Sequence, residues 1–495
     1  MPIFSPRRYQ PPYLPYTPDA LPLRLFASVE FTIKDVLFGC RMCGNCILQE
    51  TAFVCPMTCP KGERNGPCGG STPERCYVDP TRPCTWYVIY QRSEAMGPAQ
   101  FEKLREIQAP LDGRRVGHES WLDLYQFWRK NGGGISLWSV LATFNPLGYD
   151  SRKTKPAVAK FLYDYRQPDW WKGDDVYHAA AYTEPVSKLE RQLRTGQFTV
   201  TAEIAPPQTV NVGPMIKKVK EMRDWVAAAN FTDNASAAPK LSSQAASQVS
   251  QANNLEAVMQ LQTRDRNRYG LQSEAMAASA MGLRNILCLT GDHLRLGPGA
   301  TPPPVQNDMD AIHLLWMLRR MRDDKVYLDG REIKNPPTFF LGAGASPYAA
   351  LPRYEAMRTE KKVNAGAQFI QTQPVFDYNR FVEWVEALDK RNLLGKTYLL
   401  AGLTPLKSAK MAHYMGEEVP GVVVPPEIMK RMDGAKDEKE EGVAIALELI
   451  EKIKGMRGVN GLHVMAVFWE EIVPRLVKDA GLPLPLREPA QAPPA

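Results

Sequence analysis

Cysteine is nearly absent from this chain outside one short segment. The sequence has 495 residues and nine cysteines, eight of which fall between Cys40 and Cys84. Long apolar runs are missing too. No stretch of about 18 apolar residues occurs, so no membrane span is expected. The opening MPIFSPRRYQPPYLPY has no apolar signal core, which points to a cytoplasmic chain. Disulfides are rare in that compartment, so clustered cysteines are expected to bind metal. The Gly-rich GAGAS (342–346) has neither the G-x-G-x-x-G nor the Walker spacing. It reads as a turn after a strand, and no Rossmann or P-loop site is expected there. Strong charge of one sign is also lacking. The 61 basic and 54 acidic residues leave +7, a mild excess that permits a phosphorylated or polyglutamate ligand without demanding one. No nucleic-acid partner is expected.

The length implies two or three domains. Residues 1–30 read as an irregular arm and 31–92 as a cysteine-rich module. The Gly, Pro and Cys density of that module leaves little room for a packed core, so bound metal is expected to organise it. Residues 93–190 form a linker or strap rich in Trp, Tyr, Arg and Lys. Within it, 118–130 reads as a helix stopped by NGGG (131–134), and 143–176 as loops with short helices. A Pro/Ala tail covers 483–495.

From residue 191 to 482 the pattern changes. Eight strands are expected, at 198–205, 229–234, 255–262, 285–292, 338–343, 368–373, 397–402 and 461–467. Helical segments alternate with most of them. Strands joined by crossover helices make a parallel sheet, and eight such units favour a closed (β/α)8 barrel. A doubly wound open sheet is the alternative.

The cysteines run C40-x2-C43-x2-C46-x8-C55-x3-C59-x8-C68-x7-C76-x7-C84. Three thiolates in C-x2-C-x2-C, with a fourth from further away, is iron–sulfur spacing, and eight ligands suffice for two [4Fe–4S] clusters. Structural zinc also uses paired short spacings and stays open. Cys288, alone in an apolar strand, reads as a core residue.

Candidate site residues fall at the C-terminal ends of expected strands, the face where barrel enzymes place their chemistry. Glu203 in VTAEIAPP is a carboxylate at an apolar strand tip. Burial there would help it hold a proton as a general acid near neutral pH. Asp292 closes ILCLTGD, where Thr290 and Gly291 let backbone approach a ligand. Asp233, Asn234 and Thr263 follow two other strands. Gln373 follows the sixth and offers donor and acceptor together, which suits the lactam edge of a heterocycle. Arg358, Lys361 and Lys362 are either a solvated helix face or a phosphate contact. Phe376, Tyr378, Phe468 and Trp469 are either core or stacking surfaces for a planar ligand.

Together VTAEIAPP, TDN, QLQTRDRNR, LCLTGD, EKKVNAGAQFIQTQPVFD and LLAGLTPL resemble methylenetetrahydrofolate reductase, a flavin-dependent (β/α)8 family, over about 190–480. The stretch CGNC…CPMTCPKGERNGPCGG…CYVDP…CTW resembles the cysteine-rich partner domain of the acetogen-type enzyme. The resemblance implies FMN or FAD as cofactor and methylenetetrahydrofolate as substrate. It implies Glu203 as the acid that protonates N10, and Asp292 as the carboxylate beside flavin and folate. Gln373, with Thr263 and Phe376, falls where the substrate binds. Asp233, Asn234, Thr290, Gly291, Glu355, Arg358 and Lys362 fall in the cofactor site. The cysteine domain implies electrons arriving from ferredoxin or a partner oxidoreductase. An NAD(P)H-dependent enzyme with structural zinc, and a folate-binding protein without redox turnover, stay as alternatives. An oligomer is compatible with all three.

Overall fold

A computed structural model describes residues 21–116, 120–121, 173–298, 307–348, 351–419 and 421–486. Most of the expected helix 118–130, its NGGG stop and most of 143–176 lie outside the described residues, as do the arm to residue 20 and the tail from 487.

Eight parallel strands close on themselves in chain order: β1 (Thr199–Ile204), β2 (Ala228–Phe231), β3 (Ala257–Gln262), β4 (Asn285–Leu289), β5 (Phe340–Ala345), β6 (Phe369–Pro374), β7 (Tyr398–Leu403) and β8 (Val459–Val464). β8 pairs back onto β1, with Val464 opposite Ala202. The expected barrel is therefore the observed fold, and the open sheet is excluded. β2 and β3 are buried at every residue, because barrel strands are covered inside by one another and outside by helices.

Two apolar layers follow. Outside the strands, Met259, Ile286, Leu341, Ile370 and Leu399 join the helices in one large cluster. At the barrel floor Leu189, Val258, Leu287, Phe340, Phe369 and Leu400 form a second, plugged by the helix Lys188–Arg194. The rings of Phe340 and Phe369 stack with centroids 4.9 Å apart. A Cβ on Gly342 would meet the Phe369 ring at 2.2 Å. GAGAS is thus mostly strand β5 and not a turn, its glycine required by the ring that fills the barrel.

Other departures share a cause. The helix Ser243–Ala252 connects β2 to β3, although Ser/Gln-rich sequence carries little apolar periodicity. Ser242 caps it by accepting from Ala245 N, and its inner face is small: Ser243, Ala246, Ser247 and Ser250. The helix Pro426–Asp433 likewise went unforeseen. The N-terminal region is also more regular than an arm. A helix spans Leu21–Phe38 and crosses the expected boundary at residue 30. Its Glu30 and Lys34 are buried as an i,i+4 pair at 2.5 Å, and Ser120 N donates to Glu30.

The cysteine module has a core of its own, against expectation. The helix Thr85–Ala95 buries Trp86, Tyr87, Ile89 and Tyr90. These pack with Tyr354 from the barrel helix Pro352–Asn364, so module and barrel share one apolar seam.

Candidate functional site

Glu203 stands one residue before the end of β1. Its side chain is 24% exposed, so the expected burial among Ile204 and the prolines is not realised. Gln260 Nε2, from β3, donates to its Oε2 at 3.0 Å. His463 Nε2, from β8, lies 3.8 Å from the same oxygen. Beneath them His463 Nδ1 meets Thr201 Oγ1 at 3.1 Å, and Gln371 Nε2 donates to that hydroxyl at 3.3 Å. Gln371 and Asn230 pair through their amides at 2.6 and 3.2 Å. Gln260, His463, Gln371 and Asn230 are all buried. A carboxylate at the barrel mouth thus rests on a hydrogen-bonded polar layer, which fixes its orientation. Sequence reading missed Gln260, His463 and Gln371. The available signal was a polar residue inside otherwise apolar strands: VMQLQ, GLHVM and FIQTQ.

Asp292 follows β4. Its Oδ2 accepts from Ser236 N at 2.9 Å and its Oδ1 from the Tyr77 hydroxyl at 3.1 Å. Gly291 has φ +87°, and a Cβ there would strike Gln262 Oε1 at 2.0 Å, so this turn requires glycine. Thr290 Oγ1 accepts from Ala311 N, and Thr263 Oγ1 reaches Thr290 O at 3.5 Å. Asp233 is buried and its carboxylate is taken by Arg266 Nη1 at 2.6 Å and Gln262 N at 3.1 Å. Asn234 donates to Asp265 Oδ2 at 3.0 Å and accepts from Lys240 N. Asp233, Asn234, Thr263 and Thr290 therefore lie at the expected end of the barrel, with their polar groups engaged in shaping its loops.

The aromatic and amide candidates separate. Gln373 is exposed near the end of β6. Phe376, expected in the substrate site, is 3% exposed and belongs to the large apolar cluster. Trp469 is buried as well. Phe468 is 81% exposed at a left-handed φ of +55°, with its carbonyl held by Lys407 Nζ at 3.1 Å.

Arg358, Lys361 and Lys362 are not a solvated face. Both lysines are 2% exposed. Lys362 Nζ donates to Gly344 O at 2.6 Å and lies 3.8 Å from Glu355, which also faces Arg358 at 3.4 Å. Burial pulls both lysines down to about 7. The 61–70 loop of the module lies over this group: a Cβ on Gly66 would come 3.4 Å from Arg358, and the buried Glu63 is pushed up to about 7 by desolvation. Polar atoms without partners persist nearby. The buried hydroxyls of Thr232, Ser346 and Thr404 follow the ends of β2, β5 and β7 and have no hydrogen-bond partner among the described residues. Buried hydroxyls are normally satisfied, so these three fit a polar cofactor or substrate seated at the barrel mouth.

Residues 188–481, more than half of the chain, match the family described as methylenetetrahydrofolate reductase. The chain belongs to the methylenetetrahydrofolate reductase family. Residues 23–114 match a second family, described as methylene-tetrahydrofolate reductase C terminal, here placed before the barrel. Methylenetetrahydrofolate reductase 2 of Schizosaccharomyces pombe is 25% identical over 229 residues, covering 41% of this chain and 32% of that protein. Methylenetetrahydrofolate reductase 1 of the same yeast is 24% identical over 213 residues, with the same coverage. The match thus spans about a third of each curated relative. A Clostridium thermocellum protein described as binding two copies of 5-methyl-5,6,7,8-tetrahydrofolic acid aligns at 15% identity and TM-score 0.41, over 59% of this chain and 98% of that one.

In this reductase-family chain the cysteines fall into two sets. Cys40, Cys43, Cys46 and Cys55 line one cavity with Lys34 and Met57. Cys59, Cys68 and Cys84 act electrostatically on one another or through Cys68, and Cys68 Sγ lies 3.3 Å from Ser71 Oγ. Cys76 is buried, and its neighbour Tyr77 donates its backbone N–H to the same Ser71 Oγ at 3.1 Å. All nine cysteines are free thiols. Desolvation pushes Cys40 up to about 12 and Cys55 and Cys84 up to about 11. Among the described residues no three His, Cys, Asp or Glu side chains close on a point that one metal ion would fill. Cys288 is fully buried in β4, the core residue expected.

Proposed function

We propose that the barrel reduces 5,10-methylenetetrahydrofolate to 5-methyltetrahydrofolate. Glu203 carries this reading: a part-exposed carboxylate at the barrel mouth, oriented by Gln260 and His463. In this role it holds the proton for N10, so that the five-membered ring opens to a 5-iminium cation. Bound flavin, FMN or FAD, would supply the hydride to the methylene carbon. The unpartnered hydroxyls of Thr232, Ser346 and Thr404, with Arg358 and the buried Lys362, are the groups that would hold it. Asp292 and the exposed amide of Gln373 would orient the pterin, and the closed barrel floor excludes water from one side.

The eight module cysteines would hold two [4Fe–4S] clusters, Cys40, Cys43, Cys46 and Cys55 on one and Cys59, Cys68, Cys76 and Cys84 on the other. Such clusters supply single electrons, and ferredoxin or a partner oxidoreductase is the donor class. The reading is tested first by Glu203→Gln. It should abolish folate reduction while flavin reduction by an artificial donor continues, and survival of both half-reactions removes Glu203 as the acid. Iron, acid-labile sulfide, zinc and flavin measured on anaerobically purified protein test the rest. Zinc without sulfide would replace the clusters by a structural clamp and make NAD(P)H the donor.

A further inference from the structure

The cysteine module does more than sit beside the barrel; it reaches the candidate site with side chains. The Tyr77 hydroxyl donates to Asp292 Oδ1 at 3.1 Å. Lys61 Nζ donates to the carbonyl of Gly291, the residue before, at 2.6 Å. Arg64 N and Asn65 Nδ2 both donate to Asp310 Oδ2, at 3.2 and 3.0 Å. Asp310 caps the helix Ala311–Arg319, whose first amide donates to Thr290. Each residue of the Thr290–Gly291–Asp292 turn is thus tied to the module, directly or through one helix cap.

Among the described residues the barrel by itself gives the Asp292 carboxylate one hydrogen-bond donor, Ser236 N, on Oδ2. That donor lies in a short turn where Asn234, Ser236 and Ala237 all have positive φ, a conformation that non-glycine residues hold only when their surroundings impose it. The second oxygen is supplied from the module. A carboxylate fixed through one oxygen can rotate about its Cβ–Cγ bond; one fixed through both cannot. Tyr77 is suited to the task. Its hydroxyl can donate one hydrogen bond, and the ionised Asp292 carboxylate can only accept. Lys61 also lies over the Tyr77 ring, 5.9 Å from its centroid, and so holds ring and turn together.

We infer that Tyr77 is a positioning residue of the barrel site: the module completes the folate-binding constellation by fixing the Asp292 carboxylate. This rests on the reading of the barrel as a folate site. The mode of action is recognition and not redox chemistry, so it is separable from whatever the cysteines hold.

The test is equilibrium binding of 5-methyltetrahydrofolate to the full chain, followed by intrinsic fluorescence or calorimetry. Tyr77→Phe keeps the ring and removes only the hydroxyl. It should weaken binding about ten-fold, the size expected for one charge-assisted hydrogen bond, with the thermal midpoint and the cysteine-bound metal content unchanged. Asp292→Asn should weaken binding as well, and the double variant should bind no worse than Asp292→Asn alone, because Tyr77 acts through Asp292. Wild-type affinity in Tyr77→Phe, or losses that multiply in the double variant, would overturn the positioning role alone. A wild-type chain that binds no folate would overturn the functional reading, and this role with it.

Discussion

The side-chain amide of Gln260 donates to Glu203 across the barrel mouth at 3.0 Å, joining β3 to β1 with β2 between them. This bond, with His463 on the far side of the same oxygen, sets where the candidate acid points. Gln260→Leu keeps the volume and removes the donor. The rate of folate reduction is expected to fall about ten-fold, with flavin reduction by an artificial donor unchanged. Equal rates in both proteins would show that Glu203 needs no partner on β3.

Phe468 is the one large aromatic on the loop after β8 that faces solvent, at 81% exposure and a φ of +55°. That backbone conformation costs on the order of 1 kcal/mol or more for a bulky residue. Phe468 follows β8, which pairs with β1, and the aryl group of the proposed substrate is bonded to the N10 that Glu203 would protonate. Phe468→Ala is expected to raise KM several-fold with little change in kcat, and Phe468→Tyr to restore it. An unchanged KM would leave the ring without a role in substrate binding.

Burial holds Lys361 and Lys362 down to about 7. The sign follows directly. Unfolded lysines keep their protons to about pH 10.4, so above pH 7 the unfolded chain binds more protons, and stability through these groups rises with pH. Between pH 7.5 and 8.5 the thermal midpoint of the flavin-free chain should climb by roughly 2 °C. Lys361→Met with Lys362→Met should flatten the slope; an equal slope in that variant would place the titration elsewhere.

Gly342 lies against the Phe369 ring, where a Cβ would sit 2.2 Å away. Gly342→Ala should destabilise the barrel by about 2 kcal/mol or more, seen in chemical denaturation. Adding Phe369→Leu should recover part of the loss. A neutral Gly342→Ala would mean the floor repacks without strain.

The barrel was legible because its signal is local. Apolar strand segments alternate with helical ones, and the candidate carboxylates sit at strand ends, so TVTAEI and NILCL announce both fold and face from a handful of residues. The helix Ser243–Ala252 escaped because its buried face is built from Ser and Ala. The crowding of eight thiols between Cys40 and Cys84 is local in the same way.

What the sequence by itself determined, then, is the eight-fold alternation, the barrel end at which the candidate residues gather, and the crowding of thiols in one module. Each is written in residues close together along the chain. Tertiary structure alone decided which groups meet. It gave Asp233 to Arg266 and Phe376 to the core. It buried Lys361 and Lys362 beneath the module and set Gln260 and His463 on Glu203. It also brought Tyr77 to Asp292 across 215 positions of sequence. Periodicity fixes which way a side chain faces on its own element; its partner is set by closure of the barrel and by how the module packs onto it.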